Sequence, residues 1–186
     1  GKLKATYNGA AKTATGNTVE TLTVNNGGTV SFEAVPNEGY EVERWNGVSA
    51  SPSNSTNASL PNVTGAREVK VKFRQKVYTV TYKVEGGEGG SIKADSGSST
   101  TGSAGVQVIH GGNVSFTATA AEGWEISGWT VSSGNFSSGG GTGTTAMISN
   151  VTDNITVKVT FKPGVFDLAG GDDAWKKLRE EAAKKK

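Results

Sequence analysis

One segment of the chain occurs twice, and this repeat constrains the fold more than any other feature. Residues 27–45 read GGTVSFEAVPNEGYEVERW and residues 111–129 read GGNVSFTATAAEGWEISGW, which agree at ten of nineteen positions. A second shared stretch follows in each half, VTGAREVKVKF at 63–73 and VTDNITVKVTF at 151–161. The offset grows from 84 to 88 residues between the two stretches. The extra residues therefore fall in a loop, where added length costs little free energy.

The repeat predicts two tandem domains. Its period of about 85 residues exceeds the range typical of stacked solenoid units. We assign residues 1–75 to a first module and residues 76–163 to a second module, joined by Arg-Gln-Lys without a flexible linker. Residues 164–186 are interpreted as a linker and a short C-terminal helix, with Asp172 as its N-cap. Because this helix opens like a new unit and then stops, we expect it to be the truncated start of a next domain.

Within each module, apolar residues alternate with polar ones. The stretch VSFEAV places Val30, Phe32 and Ala34 on one face, and VYTVTYKV at 77–84 repeats the pattern. A period of two is typical of half-buried strands. The sequence therefore predicts a mainly β fold, with about five short antiparallel strands in each module.

The shared positions also resemble a known family. Both copies carry a GG-x-V-x-F-x-A strand, an E-G-[YW]-E-[VI]-x-x-W turn and strand, and a closing V-T-x(4)-V-K-V-x-F. This pattern resembles the divergent internalin B-type repeats (B repeats), which occur in tandem on bacterial surface proteins, and it covers roughly four fifths of the chain. The resemblance implies small β-grasp-like domains, with an immunoglobulin-like sandwich as the alternative. It also implies a spacer or adhesion-associated role outside the cell, on the bacterial surface or secreted.

The composition argues against several other classes of function. The chain has no cysteine, and its net charge is +2, with the body outside residues 172–186 electrically balanced. Nucleic acids and anionic membranes bind clustered positive charge, so neither is an expected partner. No stretch approaches the roughly 20 apolar residues of a membrane span, so no membrane insertion of this segment is expected. The expected partners are neighbouring domains of the same surface protein, with a host protein or a glycan as further candidates.

The residues that could support catalysis are sparse. His110 is the single histidine, and we interpret it as polar surface, since a zinc site needs several ligands. Two carboxylate pairs, Glu38 with Glu41 and Glu122 with Glu125, lie near turns in both copies. A glycosidase would then have two identical sites in tandem repeats. We therefore predict no catalytic residues, no cofactor and no metal.

The tryptophans give the most specific question about a site. Tyr40, Val42 and Arg44 alternate onto one face of a strand, yet Trp45 falls one step out of phase, as Trp129 does in the second copy. Either a bulge near Arg44 or Gly128 turns each indole into the core, or both indoles lie on the outer face. An exposed aromatic platform can stack on sugar rings. The candidate ligand-binding residues are Trp45, Trp129, Trp124 and Tyr40.

Overall fold

The structure, a computed structural model, describes residues 1–95, 97 and 100–164. Among these residues it contains fourteen β-strands and no helix. The strands are β1 Lys2–Tyr7, β2 Ala10–Thr15, β3 Gly28–Val35, β4 Tyr40–Asn46, β5 Asn57–Val63, β6 Lys70–Gln75, β7 Val77–Val84, β8 Gly90–Ala94, β9 Ser103–Ile109, β10 Gly112–Ala120, β11 Trp124–Val131, β12 Ser138–Gly139, β13 Thr145–Val151 and β14 Ile155–Pro163. The predicted C-terminal helix lies outside the described residues.

The strands form two pairs of sheets. In the first module, one sheet has the order β2-β1-β3-β5 and the other pairs β4 with β6. In the second module, one sheet has the order β12-β13-β10-β8 and the other β11-β14-β7-β9. Within the described part of the chain, neighbouring strands are antiparallel except β7 and β14, which are parallel. The predicted fold class, mainly β with two tandem antiparallel β domains, is confirmed.

Each module has its own buried core. One cluster includes Val30, Phe32 and Ala34 of β3, and a separate and larger one includes Phe116 of β10 and Tyr82 of β7. The side chains that alternate inward on β3 are those predicted from period two, and β10 shows the same alternation. Apolar burial on one face of every sheet is therefore what holds each module together.

The strand registers show which elements of the two copies correspond. Leu3 of β1 lies opposite Ala34, and Ile92 of β8 lies opposite Ala118. Ala34 and Ala118 occupy equivalent places in the repeat, so β1 corresponds to β8. The strand that precedes β8 in the second module, β7, then has no counterpart in residues 1–75. The two copies share a sequence pattern, and among the described residues the first module has six strands and the second has eight.

Candidate functional site

The two out-of-phase tryptophans point into the cores. The ladder between β4 and β6 shifts register between Val42 and Arg44, and the ladder between β11 and β14 shifts between Ile126 and Gly128. An extra residue in one strand reverses the side on which the following side chain emerges. Of the two alternatives, a bulge or exposed indoles, the structure therefore contains the bulge.

Each indole is buried and hydrogen-bonded in the same way. Trp45 is 9% exposed, and its Nε1–H donates to the Ser55 carbonyl at 2.8 Å. Trp129 is 8% exposed and donates to the Gly143 carbonyl, also at 2.8 Å. A buried indole normally needs such a partner for its one polar group. Each tryptophan therefore closes the core beneath the loop that carries its hydrogen-bond acceptor. In the second copy, this loop also contains the four-residue insertion.

A phenylalanine ring packs against each of these two indoles. The Phe32 and Trp45 centroids are 6.3 Å apart, and the Trp129 and Phe136 centroids are 6.2 Å apart in an edge-on arrangement. Such tilted pairs add to the area burial of the rings. Each indole is therefore largely buried and packs against a neighbouring aromatic ring.

The other two candidate residues begin the strands that carry the tryptophans. Tyr40 starts β4 and is 42% exposed, while Trp124 starts β11 and is half-buried against the second core. Their equivalent places mean that each module carries one accessible aromatic side chain at this position. The four candidates thus divide into two buried anchors and two surface rings. Binding of a ligand by any of them stays a prediction.

One carboxylate of each predicted pair takes part in a cross-strand ion pair. Glu41 Oε1 lies 2.7 Å from Arg74 Nε, and Glu125 Oε1 lies 3.0 Å from Lys162 Nζ. The two contacts join equivalent strands, β4 to β6 and β11 to β14. Opposite charges facing each other across a ladder stabilise strand pairing modestly. This gives Glu41 and Glu125 a structural role.

Two further carboxyls have lowered pKa values. A hydrogen bond from Lys72 lowers the pKa of Glu43, and hydrogen bonds from Lys158 and then Lys83 lower the pKa of Glu85. A folded-state pKa below the unfolded one stabilises the fold above the usual glutamate range. This contribution is lost as the pH falls through the lowered pKa values. Both carboxyls face solvent, so the effect on stability is small.

His110 lies at the junction of the modules and is not the isolated polar surface residue that the sequence suggested. Its backbone N–H donates to the Lys76 carbonyl at 2.9 Å, and Lys76 N–H donates to the Gly39 carbonyl at 2.8 Å. The imidazole lies against Gly39 of the first module, and its Nδ1 is 3.3 Å from the Tyr78 hydroxyl. In the sequence, the position is distinguished only by a difference between the copies, since the first copy has Asn26 where the second has His110.

Replacing His110 with alanine should loosen the junction without unfolding either module. The lost side-chain hydrogen bond contributes about 0.5–1.5 kcal/mol, so melting should change little while the modules reorient more freely. Residual dipolar couplings of the two modules measure that freedom directly. Gln107→Ala, exposed on β9, which ends one residue before His110, is the control. Unchanged relative alignment in the His110 variant would contradict the assigned role.

The whole arrangement is that of a tandem repeat, and the comparison with known families agrees. The model of the divergent InlB B-repeat domain matches residues 4–77 and 78–165. These two matches span most of the chain, so the chain belongs to this family of bacterial surface-protein repeat modules. No curated protein and no solved structure matched the chain.

No helix long and apolar enough to cross a bilayer occurs among residues 1–95, 97 and 100–164.

Proposed function

We propose that this chain is a non-catalytic spacer segment of a secreted or surface-anchored bacterial protein, which extends or presents adhesion domains. The observation that carries this proposal is the connection between the modules. The strand β6 ends at Gln75 and β7 begins at Val77, so Lys76 alone separates them. Its N–H and its carbonyl are hydrogen-bonded to different modules. A connection fixed in this way limits the angle between neighbours, as a semi-rigid stalk requires.

The remaining charges and contacts fit this role. The ion pairs at Glu41 and Glu125 each join two strands within one module, which is a structural contact of the kind that a spacer needs. The balanced body charge favours contacts with neighbouring domains of the same protein over nucleic acid or anionic lipid. A location outside the cell follows from the family's occurrence on bacterial surfaces and belongs to the same proposal.

The rigidity of the junction can be measured directly because the chain has no cysteine. Ser59 and Thr117 are exposed on strands of different modules, so Ser59→Cys and Thr117→Cys can carry a pair of spin labels. We expect a narrow distribution of label distances, and a broad one after a Gly-Ser-Gly-Ser insertion between Gln75 and Lys76. Equal widths for the two proteins would refute the stalk.

A second candidate function is binding of a glycan or a host protein, and the exposure of Tyr40 favours it. Tyr40 and Trp124 offer one accessible ring on each module. Retention on a glycan array or by a host protein that is lost in Tyr40→Ala or Trp124→Ala, with melting unchanged, would support this alternative. Retention that survives both substitutions would argue against these residues.

A further inference from the structure

One glycine lies inside a regular strand of the second module. Gly105 occupies the middle of β9, opposite Thr81 of β7, and the pairing of these two strands shows no register shift. Among the described residues it is the only glycine in such a place, since the others begin or end a strand, lie at a bulge or lie outside strands. A glycine inside a strand costs stability, because its flexible backbone must be fixed and it adds no packing. Its presence in β9 therefore needs a reason.

The fold of the described residues does not require a glycine at this position. The φ angle of Gly105 lies outside the left-handed region. A Cβ built on Gly105 would lie 3.4 Å from Thr79 Cγ2 and 3.9 Å from the Val80 carbonyl oxygen, which are ordinary contacts. A bulge or the close approach of another backbone would explain a strand glycine, and neither occurs there among the described residues. The remaining reason is the close approach of a ligand.

Gly105 lies on the outer face of its sheet, within a surface that carries no charge. Three neighbouring rows of β9 and β7 form this surface, which we call the neutral face: Ile109 with Val77, Gln107 with Thr79, and Gly105 with Thr81. All six residues are exposed or half-buried, and none has an ionisable side chain. The missing side chain at Gly105 makes a shallow depression at one end of the neutral face.

Towards the end of β7, charged groups begin one row beyond the neutral face. Lys83 and Lys158 lie opposite each other, and their ammonium groups lie 3.3 Å and 3.0 Å from the same carboxylate oxygen of Glu85. These three charges are therefore paired with one another at the border. A charged ligand would find no opposite charge on the neutral face itself, and burying an unpaired charge is costly. The neutral face therefore suits an uncharged ligand.

The side chains of the neutral face have the chemistry that a sugar chain needs. Val77 and Ile109 are 51% and 52% exposed and lie directly opposite each other, so they offer an apolar surface to the carbon–hydrogen side of a sugar ring. The hydroxyl and amide groups of Thr79, Thr81 and Gln107 can both donate and accept hydrogen bonds, as sugar hydroxyls do. A protein partner fits less well, because valine and threonine are under-represented among the residues that dominate protein interfaces.

We propose that the neutral face binds an uncharged glycan, with one sugar over Gly105 and another against Val77 and Ile109. Gly105 and Ile109 are four residues apart on one strand, which is roughly 13 Å at the usual rise per residue. Between them, Gln107 and Thr79 hydrogen-bond the sugar hydroxyls. The proposal goes beyond the spacer role and does not rest on it, and it concerns other residues than Tyr40 and Trp124.

Neutral oligosaccharides of glucose, mannose, galactose and N-acetylglucosamine, each titrated onto the isotopically labelled full chain, test this proposal. At about 10 mM, a sugar with a millimolar Kd occupies most of its sites. We expect at least one of the four to shift the amide resonances of residues 77–81 and 105–109, and a polyuronate of the same length to shift none of them. The absence of shifts with all four neutral sugars would overturn the proposal, and so would equal shifts with the polyuronate.

Filling the depression should block the glycan without harming the fold. Gly105→Leu adds a side chain whose Cβ has room and which favours a strand more than glycine does. The melting temperature should therefore be unchanged or higher, while binding weakens at least about ten-fold. Thr117→Leu, exposed on β10 of the other sheet, is the matched control and should bind like the unsubstituted chain. Gln107→Ala removes an amide without adding bulk, so it should weaken the same binding even if Gly105→Leu does not fold.

The pattern of results separates the neutral face from other surfaces. Amide shifts confined to Tyr40 or Trp124 would support the second candidate function and overturn this proposal. Unchanged binding by Gly105→Leu would overturn it as well, and so would a dimer of the chain that Gly105→Leu disrupts. None of these outcomes changes the label distances that test the spacer role, so the two proposals fail independently.

Discussion

Phe116→Ala is expected to lower the free energy of unfolding of the second module by about 3–5 kcal/mol, the usual cost of truncating a fully buried phenylalanine. Phe116 is 1% exposed, and its ring centroid lies 5.7 Å from that of Tyr82. The cavity would open in the centre of the core, where β7, β10 and their neighbours cannot close it. Urea unfolding of the full chain measures the loss as a shift of the transition of that module.

The equivalent substitution in the first module is the matched control. Phe32 is 9% exposed, against 1% for Phe116, so part of its ring is already in contact with water. Phe32→Ala should cost less than Phe116→Ala, at or below about 3 kcal/mol. Equal losses in the two modules would contradict the difference in burial between the two phenylalanines. The milder Phe116→Leu preserves a measurable transition if the alanine variant does not fold.

Trp129→Ala should destabilise the second module by about 3–5 kcal/mol through lost packing. It also removes the hydrogen bond to the Gly143 carbonyl. For a module of this size, that loss corresponds to a fall in melting temperature of more than about 12 °C. Calorimetry of the full chain is the measurement.

The control for Trp129 is Trp124→Ala on the same strand. Trp124 is only half-buried, so its truncation should lower the melting temperature of the module by clearly less. A Trp129 variant that melts like the unsubstituted chain would contradict the anchoring role. It would also return the indole to the list of accessible binding surfaces.

The repeat and the alternating residues were sufficient to predict the strands and much of the core. Period two places Phe32 and Phe116 inward because each strand has one buried face. The out-of-phase tryptophans already required a bulge or exposure, and only burial could decide between them. The sequence could predict these strands because side-chain alternation, which decides which residues of a strand are buried, is a property of each strand by itself.

The junction and the pairing of β7 could not be predicted in the same way. Alternation in residues 77–84 indicates a strand but not its partners, and β7 pairs with β14, whose residues lie more than 70 positions along the chain. Likewise, the contact of His110 with Gly39 joins residues of different modules. These features depend on long-range pairing, which the period of the sequence does not encode.

The parallel pairing of β7 with β14 determines how the second module would bear tension. The chain enters this module at the start of β7 and leaves it at the end of β14, and the two strands lie side by side in the same direction. Pulling Val77 and Pro163 apart therefore slides one strand along the other, and the bonds of the ladder are strained together instead of opening one at a time.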